Sequence, residues 1–294
     1  MAFTAKDVQA LREKTGVGMM DCKKALVASD GDMDKAIDFL REKGLAAATK
    51  KASRIAAEGV VLAYYDESKK VGVVVEVNSE TDFVAKNEKF TSFVSDIAKT
   101  IVETAPADVD ALNATKLVGS DKTVEEMRQE LVLAIGENMK VRRFERVEGQ
   151  IATYIHGGGT VGVLVQFDTD DATAATDAFK AMGKDVAMQI AAMNPLYLDE
   201  ASVPAEVIAH EKEILAVQIK EDPKMASKPE KVIEGIISGK IKKYYKENCL
   251  VDQEFFKNGD FTVGSYIASV AKEIGASIIP VKFIRYAKGE RSPN

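Results

Sequence analysis

Histidine and cysteine are the side chains most often recruited for nucleophilic, acid–base and metal chemistry, and this chain has two of each: His156, His210, Cys22 and Cys249. None is spaced for such work. His210-Glu211 opens like the zinc-binding pattern H-E-x-x-H, but residue 214 is Ile. The two cysteines, far apart in sequence, have no ligand spacing and read as reduced thiols of an intracellular protein. A phosphate-cradling loop needs G-x-x-x-x-G-K-[ST] after a strand. Gly235-Ile236-Ile237-Ser238-Gly239-Lys240 is one residue short, lacks the hydroxyl because Ile241 follows, and sits in a helical pattern. Gly157-Gly158-Gly159 joins two strands rather than a strand and a helix, which makes it a hairpin turn and not a dinucleotide fingerprint. His210 reads as the edge of a helix seam and Cys22 as a small buried hydrophobe. The expectation is therefore no catalytic residue, no metal site and no cofactor.

Two other segments stand out. The first, Asn78-Ser79-Glu80-Thr81-Asp82-Phe83-Val84-Ala85-Lys86-Asn87, joins a strand ending at Val77 to a helix opening near Glu88. Residue types alone favour a plain helix entry, capped by Thr81 or Asp82, with Phe83 folded into the core. The functional reading is a polar loop presenting one aromatic wedge and one carboxylate to a partner. The second runs from Leu11 to Leu26. Met19 and Met20 follow a Gly-x-Gly turn and cannot both face a bundle core, so one is available for an adaptable contact. Lys50, Lys51 and Arg54 read as a solvated helix face.

The composition is that of an ordinary globular protein: 294 residues, 46% hydrophobic, 29% charged, no Trp, formal charge −6. It excludes collagen, a disordered tail and a disulfide scaffold, and the length suggests two or three domains. A mildly acidic chain shows no electrostatic footprint for nucleic acid. Charges throughout Met1 to Lys14 argue against a signal peptide, and no apolar run approaches the ~20 residues of a membrane span. A soluble cytoplasmic protein is expected.

The elements that must position these segments follow from periodicity and caps. Thr4 caps a first helix and Gly16 ends it; Met19 to Ser29 is a second; Asp32 caps a third, whose apolar face is Met33, Ala36, Ile37 and Leu40 and which Gly44 closes. Ala46 to Ala57 reads as a helical connector. Val60–Tyr65 and Val71–Val77 form a hairpin, helices follow near Glu88–Glu103 and Thr123–Ile135, and Met139–Val147 is a strand with Val141, Arg143, Glu145 and Val147 alternating. Then the pattern recurs. Residues 149–155 and 161–165 match 59–65 and 71–75 at an offset of 90, and Phe179–Ile190 matches Phe90–Ile101 at an offset of 89. Such a repeat, in strand–turn–strand–helix order, argues for two similar α+β subdomains. Val203, Val207, His210, Ile214 and Val217 form one helical seam; Ile233, Ile237, Ile241 and Tyr245 form another across a break bracketed by Pro223 and Pro229, giving an antiparallel helical hairpin. Phe261–Ile274 reads as a last helix and Ile278–Tyr286 as a strand completing the second sheet.

The stretches LREKTGVGMMDCKKAL and ETDFVAKNEKF closely resemble signatures of the bacterial elongation factor Ts family, the guanine-nucleotide exchange factors of elongation factor Tu. With the repeat and the hairpin, the resemblance covers essentially the whole chain. It implies an α+β fold with antiparallel sheets. Residues 1–44 would be a three-helix module similar to ubiquitin-associated domains, 45–58 a basic helical connector, and 59–148 the first core subdomain. Residues 149–202 and 275–288 would form the second, with 203–247 the inserted hairpin and 248–274 a C-terminal module. The resemblance also implies a mechanism. Thr81, Asp82, Phe83 and Val84 would intrude into the partner's nucleotide domain and dislocate its Mg²⁺. Arg12, Met19, Met20 and Lys23 would grip that domain, and His156, in the second hairpin turn, would add a contact. The partner would be elongation factor Tu, in a heterodimer or a two-to-two assembly, without direct nucleic-acid or membrane contact and without enzymatic activity. The chain departs from the family where Gly16-Val17-Gly18 has Val for a frequent Ala. It departs again where Gln253-Glu254-Phe255-Phe256 replaces a frequent Gln-Pro-Phe-Val.

Two other function classes remain open on the residues themselves. A ribosome- or RNA-associated module would need a basic stripe with interleaved aromatics, which is absent. A small-molecule enzyme using the crevice between subdomains would need convergent polar groups with strongly shifted pKa values, and no such constellation is visible.

Overall fold

The computed structural model describes residues 2–291, so residue 1 of the expected 1–44 module lies outside them. The fold is α+β, with two three-stranded antiparallel sheets. The chain divides into two compact units, one holding residues 2–148, 155–162 and 286–291, the other 149–154 and 163–285.

In the first unit, α1 (Ala5–Thr15) opens with Thr4 and Asp7 in a reciprocal capping box and stops at Gly16, whose φ of 69° suits a residue without Cβ. α2 (Met19–Ala28) and α3 (Met33–Lys51, capped by Asp32) follow. Val8, Leu11, Val17, Cys22, Ala25, Leu26, Ala36 and Leu40 form their shared core. Gly44 does not close α3, and residues 52–57 are not helical. The glycine serves packing instead of a turn. It is buried against a later helix at Val124–Ile135, where a Cβ would come within 3.2 Å of the Gln129 carbonyl oxygen.

β1 (Glu58–Asp66) and β2 (Val71–Ser79) form the expected hairpin, paired Val60 to Val77 and Leu62 to Val75. Then come α4 (Asp82–Ala85), α5 (Glu88–Thr104), α6 (Val109–Asn113), α7 (Val124–Ile135) and β3 (Met139–Glu148), which pairs with the other side of β2. As the middle strand, β2 is buried along its whole length. Val73, Val75 and Val77 pack with Phe90, Phe93, Ile97 and Ile101 of α5.

The other face of β2 carries Glu76, with 0% exposure. A bulge meets it: Glu76 pairs with Arg143 and Val77 with Val141, leaving Arg142 as the extra residue. The expected alternation of Val141 with Arg143 is therefore broken. Both arginines reach the carboxylate, Arg142 Nη1 at 3.0 Å and Arg143 Nε at 2.8 Å. Asn78 Nδ2 donates at 2.9 Å and the Gly289 N–H at 2.8 Å. Burial works to raise the Glu76 pKa, but the bonds from Gly289, Asn78 and Arg143 outweigh it and hold the carboxyl below its usual range.

The second sheet has the order β4 (Gln150–His156), β5 (Val161–Asp168), β6. After β5 come α8 (Asp171–Ala174), α9 (Asp177–Met193), α10 (Ala205–Glu221), α11 (Pro223–Ala226), α12 (Glu230–Asn248) and α13 (Val263–Ile274), then β6 itself (Ile279–Ala287). The repeat extends further than the hairpins. α5 and α9 are both 17 residues long, and both end on a left-handed residue other than glycine, Ala105 (φ 45°) and Asn194 (φ 46°). α7 and α13 are both 12 residues long, with Thr123 and Thr262 as N-caps and Gly136 and Gly275 as C-caps. Thr100 accepts the Val118 N–H at 3.0 Å, and Gln189 accepts the Phe256 N–H at 2.9 Å. Residues 248–274 thus repeat the run that closes the first subdomain, and α10 to α12 are inserted ahead of it.

On α12, Ile233, Ile237, Ile241 and Tyr245 face inward as expected. The expected seam of α10 holds only at its start: Val203, just before the helix, is buried and Val207 is shielded, but His210, Ile214 and Val217 are exposed, and Ile208, Leu215 and Ile219 are the shielded positions instead. Spacings of three and four fit two adjacent stripes of an apolar-rich helix, and packing selects the neighbouring one.

Candidate partner-binding surface

The turn after β2 is built by Thr81 and Val84. Thr81 caps α4, its Oγ1 accepting the Val84 N–H, and Val84 is buried in the core. Successive residues of a helical turn point about 100° apart. With Val84 inward, Phe83 points outward, and its exposure is 82%. Residue types alone favoured a core position for Phe83; the structure places it in solvent. Asp82 is exposed beside it. Burying a phenylalanine side chain is worth roughly 1.5–3 kcal/mol, so the fold forgoes a sizeable gain here.

The second segment lies on the N-terminal helices. Met19 and Met20 are both exposed, at 50% and 65%, where only one was required to be. Arg12 on α1 and Lys23 on α2 are exposed as well. Beneath them Cys22 is buried, and burial pushes its thiol pKa up, away from the thiolate that reactivity needs. His156 is the last residue of β4 and is exposed. The three glycines after it have φ of 58°, 67° and 115°, values open to glycine. Gly159 seats the turn on β1: its carbonyl accepts the Val61 N–H at 2.8 Å, and a Cβ would overlap Val60. All nine expected partner-contact residues therefore lie in the first unit.

Sequence reasoning missed the corner between α7 and β3. Gly136 accepts Lys51 Nζ at 2.6 Å, so Lys51 is not the solvated side chain expected of it. Asn138, buried, donates its side-chain amide to the Arg54 carbonyl at 2.9 Å. Glu137, next to it, bonds the Glu80–Thr81 turn. The corner thereby joins the long helix of the N-terminal module to the turn that carries Phe83. A single acidic residue after a helix-ending glycine gave no pattern to read.

Among the described residues, no three His, Cys, Asp or Glu side chains are grouped to hold a metal ion, and no helix is long and apolar enough to cross a membrane.

Fold and surface define a two-repeat α+β protein that displays an isolated aromatic and a methionine pair on one unit, features of a protein-binding factor. Comparison with known proteins supplies the family. Residues 80–290 match the family described as elongation factor TS. Proteins named elongation factor Ts from Clostridium novyi (strain NT) and Clostridium kluyveri (strain NBRC 12016) are 48% and 49% identical to the chain, each over 98% of it and 93% of their own length. One from Clostridium botulinum (strain ATCC 19397 / Type A) is 47% identical with the same coverage. The chain belongs to the elongation factor Ts family, and its role is that of a translation elongation factor.

Proposed function

We propose that this chain is a guanine-nucleotide exchange factor: it binds elongation factor Tu·GDP, disturbs the Mg²⁺/phosphate site there and promotes release of GDP. The observation that carries the reading is Phe83, 82% exposed on a short, anchored turn in a chain of this family. Phe83 wedges between side chains of the partner's nucleotide domain, and Asp82 displaces the elements that hold its Mg²⁺. That ion neutralises phosphate charge in nucleotide-binding GTPases, so weakening its hold loosens GDP. Arg12, Met19, Met20 and Lys23 grip the same domain, and His156 adds a contact. No covalent bond is made or broken, so the factor is not an enzyme in the strict sense. It works in the cytoplasm, on protein rather than nucleic acid or membrane.

Linkage sets the energetic scale. The factor weakens GDP binding by the same ratio that GDP weakens factor binding. A thousandfold effect corresponds to about 4 kcal/mol of differential contact. One buried aromatic anchor contributes about 2 kcal/mol or more of that, and the lost metal contacts supply the remainder.

The test is release of a fluorescent GDP from elongation factor Tu in excess Mg²⁺, with the protein and with its Asp82→Ala/Phe83→Ala variant. The protein should accelerate release, and the variant should bind without accelerating it. Equal acceleration by both would move the site away from this turn. No acceleration by the unaltered protein would overturn the reading, and salt-sensitive RNA binding would be measured next.

A further inference from the structure

The turn that carries Phe83 is held by a carboxylate from outside it. Glu137 Oε2 accepts the Glu80 N–H at 3.2 Å and the Thr81 N–H at 3.0 Å, and Glu137 Oε1 accepts the Thr81 hydroxyl at 2.6 Å. Glu80 answers in the other direction: its Oε1 accepts the Asn138 N–H at 2.6 Å, with the Arg54 guanidinium 3.7 Å away. The Ser79 hydroxyl donates to the Thr81 carbonyl at 2.9 Å. Because the Thr81 hydroxyl donates to Glu137, its lone pairs face the Val84 N–H that it caps. A helix of one turn has almost no stability of its own. Here Glu137 fixes its capping residue, Thr81, through both the backbone N–H and the hydroxyl.

The second repeat provides an internal control. By the alignment of caps and strands, Thr169 stands where Glu80 does, Ala172 where Phe83 does, and Ala276 where Glu137 does. A Thr169 hydroxyl donating to the Ser277 carbonyl at 2.8 Å spans the same gap there. Thus the repeat that displays the aromatic carries two carboxylates across the gap, and the repeat that displays alanine carries neither.

We infer that Glu137 is a positioning residue for the Asp82–Phe83 wedge: it holds the turn in its working geometry before the partner arrives, so that none of the binding free energy is lost in ordering it. The inference rests on the exchange reading above.

Three readouts test it on the full chain, with Glu137→Gln, nearly isosteric, as the main variant and Glu137→Ala as the second. In the free protein, amide hydrogen exchange at residues 81–85 should quicken about tenfold or more, the ratio expected for losing one charge-assisted hydrogen bond, while the core strand β2 keeps its protection. In the GDP-release assay, the maximal release rate should fall by a similar factor, with the half-saturating concentration of factor less affected. In a Phe83→Ala background, Glu137→Gln should cost clearly less than in the unaltered protein, because much of what Glu137 positions is already gone and only Asp82 remains for it to hold. Unchanged exchange at residues 81–85 overturns the inference, as does an equal loss in the Phe83→Ala background. Should the unaltered protein fail to accelerate release, the exchange reading falls and takes the wedge role with it; the hydrogen-exchange arm still reports separately whether Glu137 holds the turn.

Discussion

The turns that follow β2 and β5 share one plan and differ in one outward residue. Each is a four-residue helix capped by an oxygen side chain, Thr81 in one and Asp170 in the other. Each buries its third residue, Val84 or Thr173. The second residue, which points outward, is Phe83 in the first turn and Ala172 in the second. Folding of the turn needs the cap and the inward side chain, and both repeats keep them. The aromatic is extra to that requirement, which is why its exposure speaks for a partner rather than for the fold.

A second contrast has the same form. Glu76 on β2 occupies the place that Gln166 holds on β5, so a carboxylate stands in one repeat where an amide stands in the other, and the carboxylate meets a strand bulge that delivers two guanidinium groups. The largest predicted effect is here. Glu76→Ala should cost about 3–5 kcal/mol in urea unfolding, because it removes the buried carboxylate that two partly buried arginines share, leaving them only the Ala287 and Glu290 oxygens. Gln166→Ala should cost about 1 kcal/mol. Similar losses at both positions would break the comparison. The pH dependence follows from the depressed carboxyl. Its contribution is complete above about pH 4.5, the ordinary glutamate value, and is lost as pH falls through the lower folded value. Glu76→Gln should flatten that part of the acid limb.

Next in size is Phe83→Ala, expected to slow factor-stimulated GDP release about 30-fold, equivalent to about 2 kcal/mol. Its stability in the same urea titration should change by no more than about 0.5 kcal/mol. The smallest effect sharpens the contrast from the other side. Ala172→Phe puts an aromatic on the second turn, at an exposed position. It should leave GDP release unchanged and stability within about 0.5 kcal/mol. A gain in release would mean that either turn can serve.

Much of this architecture was legible in the residues. Thr4, Asp32 and Thr81 announce helix starts because an oxygen two or three residues ahead of free N–H groups has one use. The repeat is visible wherever strands and α5 or α9 keep step. It vanishes beyond them because the inserted α10 to α12 shift the register, so the match of α7 with α13 emerges from their caps in the structure. Gly44 misled because glycine ends helices and also lets them touch, and only the neighbour at Gln129 decides between the two. Phe83 was ambiguous by type alone: one position along a turn separates core from solvent. Glu137 and Lys51 were invisible because their partners lie 56 and 85 residues away.

Glu76 also bears on the order of events when the chain folds. Its bond to Gly289 closes a loop of 213 residues, and the entropic penalty of closure rises with the logarithm of that length. Contacts of such separation form late, after the β1–β2 hairpin and the packing of α5 onto it. Changes at Glu76 should therefore quicken unfolding far more than they slow refolding. During synthesis, Glu76 can meet Asn78, Arg142 and Arg143 well before Gly289 exists, so the last of its four partners becomes available only when the chain is nearly complete.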